Sequence, residues 1–146
     1  MAQGLTNLTQ TDIGEGTILI FPWAYSSITQ GTWALSVTTT YIHNYIYYNS
    51  SNAIGDQIDY KLILSAGDYT IALYGYQAAT LGAVNLSLDS VIFGTIDFYG
   101  AEAHGAWNVG FNVLTTGIHT LSVTTKLGHG GNNNVFAYFF LIRRIK

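Results

Sequence analysis

Apolar and polar residues alternate with a period of two along most of this chain, the pattern of strands with one buried face. Trp33, Leu35 and Val37 alternate with Ala34 and Ser36. Ile58, Tyr60, Leu62 and Leu64 form an inner face, with Asp59 and Lys61 on the outer one. Val84, Leu86 and Leu88 are interleaved with Asn85 and Ser87, and Trp107, Val109, Phe111 and Val113 with Asn108, Gly110 and Asn112. Turn chemistry separates these runs: Asn49-Ser50-Ser51-Asn52, Ala66-Gly67-Asp68, Asp89-Ser90, Thr116-Gly117 and the long Gly128–Asn134 stretch. Strands at this spacing, with no apolar period of 3.6, predict an all-β fold. We expect a jelly-roll-type antiparallel β-sandwich of about eight to nine strands over residues 17–146. Residues 1–16 lack periodicity and are expected to form an extended or flexible N-terminal arm.

The closing segment, Phe136-Ala137-Tyr138-Phe139-Phe140-Leu141-Ile142, departs from the rule. Strict alternation puts Phe136, Tyr138, Phe140 and Ile142 on one side and Ala137, Phe139 and Leu141 on the other. An antiparallel strand with a wet face should be polar there. The expectation is a second sheet over one side and another subunit over the other, with Phe136, Tyr138, Phe140 and Ile142 as subunit contacts. A second aromatic strand, Tyr41 to Tyr48, places Tyr41, His43, Tyr45 and Tyr47 on one face. Tyrosine combines contact area with a hydroxyl, so this face reads as a subunit interface or as a platform on which sugar rings stack.

Composition sharpens that reading. Only 9% of residues are charged, against about 25% in ordinary soluble proteins. So little charge suits a subunit that shelters its flanks against copies of itself. Net charge is −3 and the few basic residues form no stripe, which argues against nucleic acid and a membrane surface as partners. No apolar run approaches the ~20 residues of a membrane span, and the N-terminus is expected not to be a signal peptide. There is no cysteine, hence no disulfide framework.

Candidate chemistry is sparse. His43, His104, His119 and His129 sit at no metal-ligand spacing, and Asp97 with Glu102 is the one carboxylate pair that brackets a loop. No nucleophile elbow, P-loop or dinucleotide fingerprint occurs. The chain is therefore read as non-enzymatic, with no cofactor and no metal. Trp33 and Trp107 fall on apolar faces, which leaves Trp23, after Pro22, as the tryptophan suited to stacking on a sugar.

Several turn-plus-strand pieces carry a resemblance: Ala66-Gly67-Asp68-Tyr69-Thr70-Ile71, Val84 to Asp89, Gly94-Thr95-Ile96-Asp97-Phe98-Tyr99, Thr116 to Leu121, and Phe140 to Arg144. Together they resemble a β-sandwich module of tailed-bacteriophage structural proteins, as in capsid decoration proteins and tail or fibre terminal domains. Ser90 stands where that family often has glycine. The module also resembles carbohydrate-binding jelly rolls. The phage resemblance implies a virion protein made in the host cytoplasm, a homo-oligomer and most simply a trimer, with the major capsid protein or another virion protein as partner. The leading expectation is thus a capsid decoration or cementing protein. The alternatives are a carbohydrate-binding jelly-roll module and, more distantly, an extracellular filament or surface-layer subunit.

Overall fold

The structure, a computed structural model, describes residues 11–14, 16–37, 45–128 and 135–145 of the 146-residue chain. Its elements are strands: β1 (Thr11–Gly14), β2 (Thr17–Ile20), β3 (Ser27–Gln30), β4 (Trp33–Val37), β5 (Tyr45–Asn49), β6 (Gln57–Leu64), β7 (Gly67–Gln77), β8 (Ala83–Leu88), β9 (Val91–Asp97), β10 (Ala103–Val113), β11 (Gly117–Lys126) and β12 (Phe136–Arg144). They form two antiparallel sheets, one of seven strands and one of five. The five-stranded sheet runs β3-β6-β11-β8-β9. The larger sheet is built on β12, which pairs along its length with β7, itself paired with β10. Its other edge is shared: β2 pairs with Phe140–Arg143 and β5 with Phe136–Ala137.

The all-β sandwich is as the alternation predicted. The twelve described strands exceed the expected eight to nine because several are short and poorly patterned. Ser27–Gln30 is almost wholly exposed, so it carries no buried period to read. Thr11–Gly14 lies in the segment read as an arm, yet it pairs with β2. Residues 1–10 and 15, with Tyr41, His43 and His129, lie outside the described residues.

The core fills the space between the sheets. Ile58, Tyr60, Leu62, Leu64, Val84, Leu86, Leu121 and Val123 come from the smaller sheet. Ile18, Ile20, Ile71, Leu73, Phe111, Phe140 and Ile142 come from the larger. The Tyr60 and Phe140 rings meet edge-on across the gap at 5.4 Å, and the Tyr60 hydroxyl donates to the Pro22 carbonyl at 2.8 Å. A buried tyrosine requires such a partner for its O–H. Trp107 packs against the core edge-on to Phe98, and Trp33 lies against it too, as their alternation implied.

The final strand corrects the choice of its contact residues. Its pairing with β7 slips between Ala137 and Phe139, a β-bulge in which Tyr138 is the extra residue. The slip changes the parity of the strand. Ala137 packs on the core before the bulge, and Phe140 and Ile142 pack on it afterwards. Tyr138, Phe140 and Ile142 are each no more than 3% exposed within one chain. A single chain already buries these side chains, so they are not available as the subunit contacts expected of them.

Candidate functional site

The bulge also creates the most distinctive surface of the molecule. Phe139 faces outward and stacks on Tyr74, its register partner on β7, with centroids 4.4 Å apart and planes 21° from parallel. Beside this pair, Tyr138 turns its hydroxyl to His104 Nδ1 at 2.6 Å. The His104 ring also lies 5.6 Å from that of Tyr76, its neighbour across the β10–β7 ladder. Strand alternation explains the grouping. On β10, His104, Ala106, Asn108, Gly110 and Asn112 are exposed, while Trp107, Val109, Phe111 and Val113 turn inward. On β7 the same face carries Thr70, Ala72 and Tyr74, while Tyr76, opposite His104, is partly buried and also packs against the core. Ala72 and Ala106 keep the floor low beside the rings, and Asn108 adds an exposed amide opposite Ala72.

A second ring pair stands where β2 ends. Phe21 and Trp23 stack at 5.0 Å and 19°, and both are exposed, Trp23 at 36%. Tyr25 on the same loop is exposed as well. Phe21 follows Ile20, the partner of Phe140, so the loop leaves the sheet at the level of Phe139. The exposed tryptophan chosen from the sequence therefore belongs to a second exposed aromatic pair, on the loop that leads from β2 to β3. The rings of that face escaped sequence reading, because Tyr74, Tyr76 and Phe139 are scattered over two strands and His104 over a third. The one available signal was the doubly apolar closing strand, which pointed to a partner instead.

The other predicted site residues fare differently. Tyr41 and His43 lie outside the described residues, as do the side chains of Tyr45, Tyr47 and Phe136. Asp97 accepts the Tyr99 amide at 3.0 Å, a turn bond, and Glu102 is exposed nearby. No three His, Asp or Glu side chains gather among the described residues.

Two buried carboxylates hold the scaffold. Asp56 accepts from Asn49 Nδ2 at 2.8 Å, Ser51 Oγ at 2.6 Å and the Ala53 amide at 3.2 Å. Burial pushes its carboxyl up, but these donors outweigh burial and hold it below the ordinary value of 3.8. Asp59, on the outer face of β6, is only 6% exposed. Its oxygens accept from Thr29 Oγ1, from Ser122 Oγ at 2.6 Å and from Gln57 Nε2 at 2.8 Å. Both carboxylates are consumed by structure, so neither presents an acid or base to a substrate.

The chain matches no family model and no curated protein. It is similar in structure to the CBM36-1 domain of a multidomain xylanase from the hindgut metagenome of Trinervitermes trinervoides. That likeness has 16% identity and a TM-score of 0.61, over 89% of this chain and 98% of that one. It is likewise similar to the C-terminal CBM6 of LamC, a marine laminarinase from Zobellia galactanivorans, with 14% identity, a TM-score of 0.63 and coverage of 88% and 99%. A family 35 carbohydrate-binding module from Clostridium thermocellum matches at 16% identity and a TM-score of 0.61, over 88% and 98% of the two chains. At such identities the likeness establishes architecture alone, and this chain has the jelly-roll β-sandwich architecture seen in carbohydrate-binding modules.

Proposed function

We propose that this protein is a non-catalytic carbohydrate-binding module that lays a glycan against the aromatic face of its larger sheet. The observation that carries this reading is the outward Tyr74–Phe139 stack, on a fold shared with carbohydrate-binding modules. Pyranose rings present apolar C–H faces, which pack on the flat, electron-rich faces of aromatic rings. Their rim hydroxyls need polar partners, which Asn108 and His104 stand ready to offer. No charged side chain stands among the described residues of the ring cluster, which suits an uncharged glycan. Phe21, Trp23 and Tyr25 add further exposed rings on the loop after β2. The head-decoration reading came from the resemblance of the turn-plus-strand pieces to phage modules, whereas the structural neighbours are carbohydrate-binding modules and favour the alternative. Phe140 and Ile142, expected as contacts in that reading, pack in the core.

The test is a glycan array followed by titration calorimetry on the best polysaccharide. Tyr74→Ala and Trp23→Ala should each weaken binding by tenfold or more, about 1.4 kcal/mol or above, as loss of an aromatic anchor does elsewhere. Far-UV circular dichroism establishes that each variant keeps its fold. An array without a hit, or a double variant that binds like the parent, refutes the proposal.

A further inference from the structure

The end of the sandwich away from the Trp23 loop carries a different device. There the β8–β9 turn and the β10–β11 turn approach each other around His119. This imidazole is 7% exposed, and both of its nitrogens face acceptors. Nδ1 lies 2.6 Å from Asp89 Oδ2 and Nε2 lies 2.8 Å from the Thr115 carbonyl. A neutral imidazole has one N–H and can serve only one of these. An imidazolium serves both. We propose that His119 is a proton-operated clasp: charged, it ties the β8–β9 turn to the β10–β11 turn, and loss of its proton lets the two turns part.

The geometry of the turn gives the clasp something to hold. Asp89 and Ser90 both have positive φ, 49° and 71°, in a hairpin turn without glycine. L-residues enter this region only at a cost, and such conformations persist where surrounding bonds over-determine them. Here Asp89 Oδ1 accepts the Thr120 amide at 2.8 Å while Oδ2 takes the imidazole. The clasp also borders a groove of about 460 Å³ between the sheets, with Val91 and Leu114 at its rim and the stacked Phe93 and Phe111 within.

The electrostatic surroundings are simple among the described residues. Asp89 is the charged group in contact with the ring. Lys61 lies on the outer face of β6, opposite Thr120. Asp68 lies opposite Asn112 and accepts its amide at 2.8 Å. The Tyr69 hydroxyl donates to the Ser65 carbonyl, and Arg144 to the Ala66 carbonyl. Burial depresses the imidazole's affinity for its proton, but the bonds to Asp89 and Thr115 outweigh burial and raise it above 6.5. Burial likewise pushes Asp89 up, and the Thr120 amide and His119 bring it below 3.8. The clasp is therefore fully closed between those two reference values. It is lost in base as pH rises through the raised histidine value, and in acid as pH falls through the depressed aspartate value.

Nitrogen NMR of the His119 ring and amide exchange at Asp89 and Thr120 test this directly in the full chain. The ring should titrate above 6.5, and protection of both amides, corrected for intrinsic base catalysis, should fall about tenfold across that titration. His119→Gln should show protection that does not follow pH, and Asp89→Asn should shift the ring titration downward. A wild-type ring that titrates at or below 6.5, or protection that stays flat through the midpoint, overturns the clasp. Both wild-type measurements decide the matter even where a variant does not fold.

Discussion

Replacing Asp56 by alanine should be among the costliest single changes at the loop-rich end of the sandwich. The carboxylate is 2% exposed and gathers three donors on one oxygen. Ser51 and Ala53 are exposed, so without Asp56 they turn to water. Asn49 is fully buried and cannot. Its orphaned Nδ2 costs about 1–3 kcal/mol, and the lost charge-assisted bonds add about 1.5–3 kcal/mol. The combined effect is about 2.5–6 kcal/mol. At ~2–4 °C per kcal/mol for a chain of this size, the melting temperature should fall by about 5–24 °C. Asp56→Asn keeps the shape and one acceptor and should cost only about 1–2 kcal/mol. Close packing explains why nothing larger is expected to substitute: a Cβ on Gly31, whose φ is +85°, would come within 2.2 Å of Asp56 Cγ. Because the Asp56 carboxyl is held below 3.8, its contribution is present above that value and disappears as pH falls through the depressed one. Urea unfolding followed by tryptophan fluorescence at pH 7 and pH 3 reads both effects. An alanine variant within 1 kcal/mol of the parent at pH 7, or a parent–alanine difference that persists unchanged in strong acid, would refute the reasoning.

Two further outcomes follow from the fold. Ile142→Ala should destabilise the isolated chain by about 2–5 kcal/mol in chemical denaturation, as core truncations do; a residue facing only a partner subunit would leave monomer stability untouched. Ser90→Gly should raise stability by up to about 1 kcal/mol, since glycine accepts a φ of 71° without the penalty an L-side chain bears. A thermal scan that shows Ser90→Gly below the parent would mean that the hydroxyl contributes more than the strain removes.

The alternation legible in β6, β8, β10 and β11 was enough for the sandwich and for most of its core. Period-two patterning reports which residues share a face, and those strands keep their register over most of their length. Reading failed where register fails. Tyr138 is one extra residue, and a single slip reassigns every side chain on one side of it. Nothing in the local composition of Phe136–Ile142 marks where that slip falls, because residues on both faces are apolar. Asp59 was placed correctly on the outer face of β6. Its burial was not legible, since the Thr29 and Ser122 hydroxyls that cover it come from other strands. The ring cluster of Tyr74, Tyr76, His104 and Phe139 is likewise a product of strand order. Pairing of β10, β7 and β12 in that sequence is a long-range fact that no single segment encodes.

The irregularity at Tyr138 divides the last strand into two halves that are out of phase. The half from Phe140 onward is committed to the interior, where an inserted or deleted residue would invert a packed layer. The half before it enters that layer through Ala137 and meets the other half out of phase at the slip. At the joint, Phe139 is displayed between two buried neighbours, so an exchange of that one ring would change the recognition surface and leave the packed layer on both sides as it is.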